Sequence, residues 1–150
     1  MTTSGARLPG SLAANPRLSI WLRFSADGRV TIRPGKVEIG QGILTALAQI
    51  AADELDVELR RVAVDAASTA ASPDEGVTSG SRSVEDSGLA LRHACACARA
   101  IHLLVTAQRS GVPVETIRIV DGSFLGPDGP IGSYWAEAES GLLDLSLIHI

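Results

Sequence analysis

Aromatic residues are scarce in this chain, at 3% of 150 residues. A core of this composition has to be built from alanine, leucine, isoleucine and valine, which suits close-packed layers of helices and strands. Cysteine is almost absent: Cys95 and Cys97 lie two apart in a segment patterned as a helix, so their side chains point to roughly opposite sides of it. That excludes a disulfide framework and makes reduced thiols in the cytoplasm the simplest expectation. Positive charge is also lacking. Thirteen Lys and Arg stand against seventeen Asp and Glu, a formal charge of −4, and the arginines are scattered, which excludes a basic nucleic-acid footprint. No uninterrupted apolar run reaches bilayer length, and the start of the chain lacks the basic-then-apolar order of a secretory signal. With 45% hydrophobic and 20% charged residues, the expectation is one globular domain with a real core and no export signal of its own.

The pattern divides the chain. Residues 1–16 are rich in small residues, Gly and Pro, and predict an extended arm. Residues 18–24 and 29–33, around the turn dipeptide Asp27-Gly28, predict a β-hairpin. Apolar positions Ile43, Leu47, Ile50, Ala51 and Leu55 recur at helical spacing and predict three to four turns. Val62 and Val64 read as a strand, 66–76 as a loop, and Leu91, Ala94, Ala98, Ile101 and Val105 as a long helix. Thr116 to Val120 predicts a strand, Asp121-Gly122 a turn, 123–125 a short partner, 126–132 a loop with two prolines, and 133–137 the start of a helix. The fold class is α+β, a hairpin at each side of a two-helix unit.

Two segments carry chemistry. In Gly35-Lys36-Val37-Glu38-Ile39-Gly40-Gln41-Gly42, glycines flank a glutamine directly before the first helix, so backbone can approach a bulky polar ligand while the amide side chain donates and accepts. A second glycine and hydroxyl cluster, Thr78-Ser79-Gly80-Ser81, precedes the long helix. Amides at helix starts and the positive end of the helix dipole favour an anionic ligand. The plainer alternatives are an ordinary glycine turn and an N-cap made by Ser79 or Ser81.

Taken together, GKVEIGQGILTALAQIAADELDV and SPDEGVTSGSRSVEDSGLALRHACACAR resemble the molybdopterin-binding large subunit of the xanthine dehydrogenase and aldehyde oxidase family, in the branch of isoquinoline oxidoreductase and nicotinate dehydrogenase. The resemblance runs from about Leu8 to about Glu139, only the amino-terminal part of such a subunit, and implies an incomplete cofactor-binding domain over residues 17–139. It implies that Gly40, Gln41 and Gly42 pack against the pterin and metal end of the cofactor, with Ser79, Gly80, Ser81 and Ser83 holding it further along. The implied cofactor is molybdopterin with molybdenum, in the cytosine dinucleotide form. The implied reaction is oxidation of an aldehyde or N-heterocycle with water-derived oxygen, and an iron–sulfur subunit or cytochrome would accept the electrons. The family's catalytic glutamate belongs to a motif near the carboxyl end of the subunit, so Glu38 is assigned a surface pairing with Lys36 or Arg33 instead. The location would be cytoplasmic, or periplasmic if an exported partner carries the subunit.

Other readings compete. A stand-alone module could use the same two loops to bind a phosphate-bearing small molecule without catalysis. A nucleophilic hydrolase is disfavoured because Ser79 and Ser81 lack a Gly-x-Ser-x-Gly setting. His93 and Cys97, one helical turn apart, are only two ligands and do not make a metal site, while Asp74-Glu75 and Glu85-Asp86 read as a solvated loop and a first helical turn. Residues 140–150 break the resemblance. Their end, LSLIHI, matches the in-frame translation of a transposase end sequence used in library preparation, so a non-native or disordered tail is expected there.

Overall fold

The computed structural model describes residues 17–34, 42–65 and 88–144. The expected arm at 1–16, the loop at 66–76 and the LSLIHI tail lie outside the described residues. Chain order starts with a short helical turn, α1 (Leu18–Trp21), which leads into strand β1 (Leu22–Ser25). The sequence pattern alone puts residues 18–21 in the strand. A strand would point Leu18 and Trp21 to opposite faces, whereas one helical turn sends both to the same side, and both are fully buried.

β1 pairs antiparallel with β2 (Arg29–Ile32), Leu22 opposite Ile32 and Ser25 opposite Arg29. The Asp27-Gly28 turn is as expected: Gly28 adopts φ +89° and donates to Ser25 O at 3.1 Å. Leu22, Phe24, Val30 and Ile32 alternate inward from this hairpin. Helix α2 (Ile43–Leu55) then crosses over and returns the chain to β3 (Val62–Val64), which lies parallel to β2 with Ile32 opposite Val64. β1, β2 and β3 thus form one sheet, and α2 packs on β3 and on the long helix α3 (Leu89–Ser110).

α3 buries Ala90, Leu91, Ala94, Cys95, Ala98, His102 and Thr106, a stripe at helical spacing, and ends at Gly111, whose φ of +70° lets its amide reach Ala107 O at 2.9 Å. This helix of 22 residues is long and apolar enough to cross a bilayer by length and composition, although Arg92, Arg99 and Arg109 interrupt its apolar run as the sequence expectation had it. Its small-residue stripe packed on α2 is the pattern of a core helix. Cys95 is buried on that stripe and Cys97 is half-buried off it, both free.

A second antiparallel sheet follows, β4 (Arg118–Val120), β5 (Ser123–Gly126) and β6 (Gly129–Ser133). Asp121 and Gly122, at φ 47° and 83°, make the two-residue hairpin turn expected from the sequence. The loop expected at 126–132 is instead mostly strand. Only Pro127-Asp128 turns, with Gly126 opposite Gly129, and Pro130 is accommodated beside a register shift at Phe124/Leu125 on the outer strand. The helix expected from 133 does not form either. Ser133 Oγ accepts the Ala136 amide at 3.0 Å, and successive turns then carry the chain to a short 3-10 helix, Leu142–Asp144.

The few aromatic residues are concentrated rather than spread. Trp21, Phe24, Phe124 and Tyr134 are buried, so the core is less purely aliphatic than composition implied. Phe24 stacks on Tyr134 at 4.4 Å, Phe124 meets Tyr134 edge-on at 4.9 Å, and the Tyr134 hydroxyl donates to Leu55 O at 3.1 Å. Burial pushes the Tyr134 phenol up, so it remains a donor.

Arg61, from the 3-10 turn (Leu59–Arg61) before β3, ties the two sheets together. Its Nη1 donates to Gly28 O at 2.9 Å and its Nε to Asp121 Oδ1 at 2.8 Å, so one guanidinium bridges both hairpin turns. Asp121 Oδ1 also accepts the Glu58 amide at 2.9 Å, and the guanidinium lies 5.2 Å from the Trp135 ring centroid. Burial alone would raise the Asp121 carboxyl, but the Glu58 amide, the Arg61 bond and the charges of Arg61 and Arg60 together hold it below the usual carboxylate value. Gly122 has no room for a side chain here: a Cβ would sit 2.4 Å from Trp135 Cζ2. Gly122→Ala therefore combines a disfavoured positive φ with a clash and should lower unfolding free energy by about 1–3 kcal/mol in urea. Adding Trp135→Ala should recover the steric share in a double-mutant cycle; additive losses would show that Trp135 does not occupy that space.

Candidate functional site

Parallel pairing of β2 with β3 places the mouths of both candidate loops side by side. The chain leaves β2 through Arg33 and Pro34 into residues 35–41, and leaves β3 through Asp65 into residues 66–87. Neighbouring strands lie about 4.8 Å apart, so the two departures start from one edge at the carboxyl end of the sheet. The Asp65 amide donates to Ile32 O at 2.9 Å, one step beyond the last ladder pair. Ligand sites in sheets with parallel strands favour that end.

Of the residues expected to hold a ligand, Gly42 is described. Gly40, Gln41, Ser79, Gly80, Ser81 and Ser83 lie outside the described residues, as do Lys36 and Glu38. So does the expected closeness of the two loops beyond their mouths. Gly42 stands at the N-cap of α2 with φ 71° and ψ 17°, exposed, and its carbonyl accepts the Ala46 amide at 3.1 Å. Among the described residues a Cβ there would meet nothing within 4 Å, so the glycine is required by its backbone conformation rather than by crowding from them. The first turn of α2 has no acidic side chain to neutralise the positive helix end. This geometry fits an anionic group approaching from the 35–41 side. α3 is described from Gly88 onward, so the capping expected of Ser79 or Ser81 also lies outside the described residues.

The expected pairing of Glu38 with Lys36 or Arg33 lies outside the described residues; among those described, Arg33 has an acidic partner. Arg33 Nε lies 3.5 Å from Asp65 Oδ2, across the mouths of the two loops. That is ion-pair distance without hydrogen-bond geometry, and the buried Nε has no other hydrogen-bond partner among the described residues. Arg33 also faces a cleft of about 430 Å³ between α1, β1 and the turns after β6, where Arg23, His102, Glu137 and Asp144 contribute. At its floor, His102 is buried with its ring edge-on to Phe24 and to Tyr134, each at 5.2 Å. His102 Nδ1 is 2.8 Å from Ala98 O, and since a carbonyl only accepts, Nδ1 carries the hydrogen. From sequence, His102 is a packing or solvent-contact residue; packing is what the structure shows. Neither Arg33–Asp65 nor the histidine's aromatic setting has a local sequence signal, because each joins residues far apart in the chain.

Burial lowers the His102 pKa from its ordinary value of 6.5, with the Ala98 carbonyl and the Glu137 charge opposing. An unfolded chain therefore binds a proton that the folded one resists, and stability is full above the ordinary value and declines below it. The thermal midpoint should fall as the solution is taken from about pH 7 to about pH 5. His102→Phe should flatten that slope; an unchanged slope in the variant would assign the pH dependence to other groups.

Known proteins share this arrangement of sheets and helices. Residues 1–140 match the family described as molybdopterin cofactor-binding domain. A nicotinate dehydrogenase subunit of Pseudomonas putida is 38% identical over 117 residues, covering 78% of this chain and 10% of that protein. The beta subunit of isoquinoline 1-oxidoreductase from Brevundimonas diminuta is 34% identical over 124 residues, covering 78% of this chain and 16% of that one. A solved structure of CO dehydrogenase from Oligotropha carboxidovorans superposes with a TM-score of 0.65 at 26% identity, over 77% of this chain and 15% of that chain. The chain thus spans between a tenth and a sixth of the length of these relatives. Its mixed sheets and helices are the partial cofactor-binding domain of such proteins. By the extent of the family match and these relatives, the chain belongs to the molybdopterin cofactor-binding domains of the xanthine dehydrogenase and aldehyde oxidase family.

Proposed function

We propose that this chain is the part of a molybdenum hydroxylase subunit that presents two loops to one molybdopterin cofactor, within an enzyme that oxidises an aldehyde or N-heterocycle. The observation that supports this most directly is the departure of both loops from adjacent parallel strand ends, with Gly42 opening α2 in a left-handed conformation. In this reading Gln41, between Gly40 and Gly42, donates its side-chain amide at the pterin and metal end. Ser79, Gly80, Ser81 and Ser83 bind further along through hydroxyls and amides, reaching the phosphates of a cytosine dinucleotide form. The bound cofactor would supply the redox centre for inserting water-derived oxygen, and an iron–sulfur subunit or cytochrome would take the electrons. The chain's own work is to bind and orient: α2 directs its positive end at the anionic ligand, and the glycines allow the backbone to come close.

In a complete subunit, Gln41→Ala should reduce molybdenum content or turnover by the equivalent of about 1–3 kcal/mol while the melting temperature stays near the parent's, because the lost partner is a ligand group. Metal content and turnover equal to the parent's would return Gly40-Gln41-Gly42 to an ordinary turn. The isolated 150-residue chain should show no hydroxylase activity with a dye acceptor, since by family resemblance the catalytic glutamate lies elsewhere. Oxidation of an aldehyde or N-heterocycle by that chain alone would refute the division of labour.

A further inference from the structure

In a parallel ladder, a residue donates to the strand beside it one position back and accepts one position ahead. Asp65 makes the first of these bonds, to Ile32 O at 2.9 Å. The second would come from the amide of residue 34, and residue 34 is proline, which has none. The backbone ladder between β2 and β3 therefore lacks this bond at the mouths of the two loops. At that register position the side chains take over. Arg33 and Asp65 are the next cross-strand pair after Ile32 and Val64, and their charges stand 3.5 Å apart.

We propose that Arg33 and Asp65 are a positioning pair for the two cofactor loops, the ion pair replacing the hydrogen bond that Pro34 removes and fixing how far apart the loop mouths stand. This rests on the reading that both loops hold the molybdopterin cofactor. The arginine side chain is 22% exposed and the aspartate 49%, so the pair contributes little to global stability. Its effect falls at the loop mouths, where Pro34 offers no amide to continue the ladder. Arg33 Nε is buried and lacks another hydrogen-bond partner among the described residues, so a shift of a few tenths of an ångström towards Asp65 would close a charge-assisted bond. Among the described residues, Glu137, Glu139 and Asp144 line the cleft that Arg33 faces and are the other carboxylates that could draw it away.

The test uses the complete subunit carrying Arg33→Asp, Asp65→Arg or both, with Gln41→Ala in parallel, and reads molybdenum per subunit and the thermal midpoint of each metal-free protein. Each single charge reversal should lower molybdenum content about fivefold, the upper end for a partly exposed pair, with little change in midpoint. The double reversal should restore content towards the parent's. Three results overturn the proposal. Single variants that keep parental molybdenum while Gln41→Ala loses it would show that only the positioning role is wrong. Single variants whose midpoint falls with their metal content, unrepaired by the double reversal, would make Arg33 merely structural. Parental molybdenum in Gln41→Ala as well would remove the two-loop reading and this inference with it.

Discussion

The guanidinium of Arg61 is the contact on which the arrangement of this domain turns. It reaches one hairpin at Gly28 O and the other at Asp121 Oδ1, and lies over Trp135 as well. Two three-stranded sheets with little direct pairing between them are thereby held as one body. Around it the backbone closes further: Gly122 donates to Asp56 O at 3.1 Å, Tyr134 donates to Gly122 O at 3.0 Å, and the Tyr134 hydroxyl reaches Leu55 O. Two of these bonds, from Gly122 to Asp56 O and from the Tyr134 hydroxyl to Leu55 O, end on the carboxyl end of α2. Truncating Arg61 would leave Asp121 with a partly buried charge and fewer donors, which costs more than the pair itself contributes.

This anchoring of α2 at its carboxyl end has a functional corollary at the other end. A helix of 13 residues fixed by Leu55, Asp56 and the aromatic cluster presents its start, at Gly42, in a defined direction about 20 Å away. β2 delivers the chain to that start and β3 delivers it to the second loop, and the two strands are register partners. Rigid elements thus set the origins of both loops, to which the proposed function assigns the ligand chemistry. The cofactor reading uses this division: packing energy resides in the helices and sheets, and of the positive-φ glycines Gly42 stands at the helix start to which that reading brings the ligand.

Local signals in the sequence were legible where local chemistry decides the structure. Asp27-Gly28 and Asp121-Gly122 supply residues that tolerate positive φ, so both hairpin turns formed where expected. The apolar spacing after Gly42 and through Ala94 and Ala98 marked both helices. Misreadings arose where pairing partners decide. Gly126 to Gly132 looks like a loop until β5 is available to pair with Gly129, and Leu18 looks like strand until burial of Leu18 and Trp21 on one side favours a helical turn. The Arg33–Asp65 pair and the setting of His102 among Phe24, Phe124 and Tyr134 join residues too distant in the chain for any periodicity to reveal. Of the candidate site, motif and order were readable, while the adjacency of the strand ends that bear the loops came only with the parallel register.

The central claim is that two loops leaving one sheet edge converge on a single cofactor. A crystal structure of the complete subunit with molybdopterin bound tests it most directly. The account predicts the Gln41 side-chain amide and the Ser79 to Ser81 backbone or hydroxyl groups within hydrogen-bond distance of the same cofactor molecule. A cofactor contacted by only one of the two loops, or by neither, would contradict it.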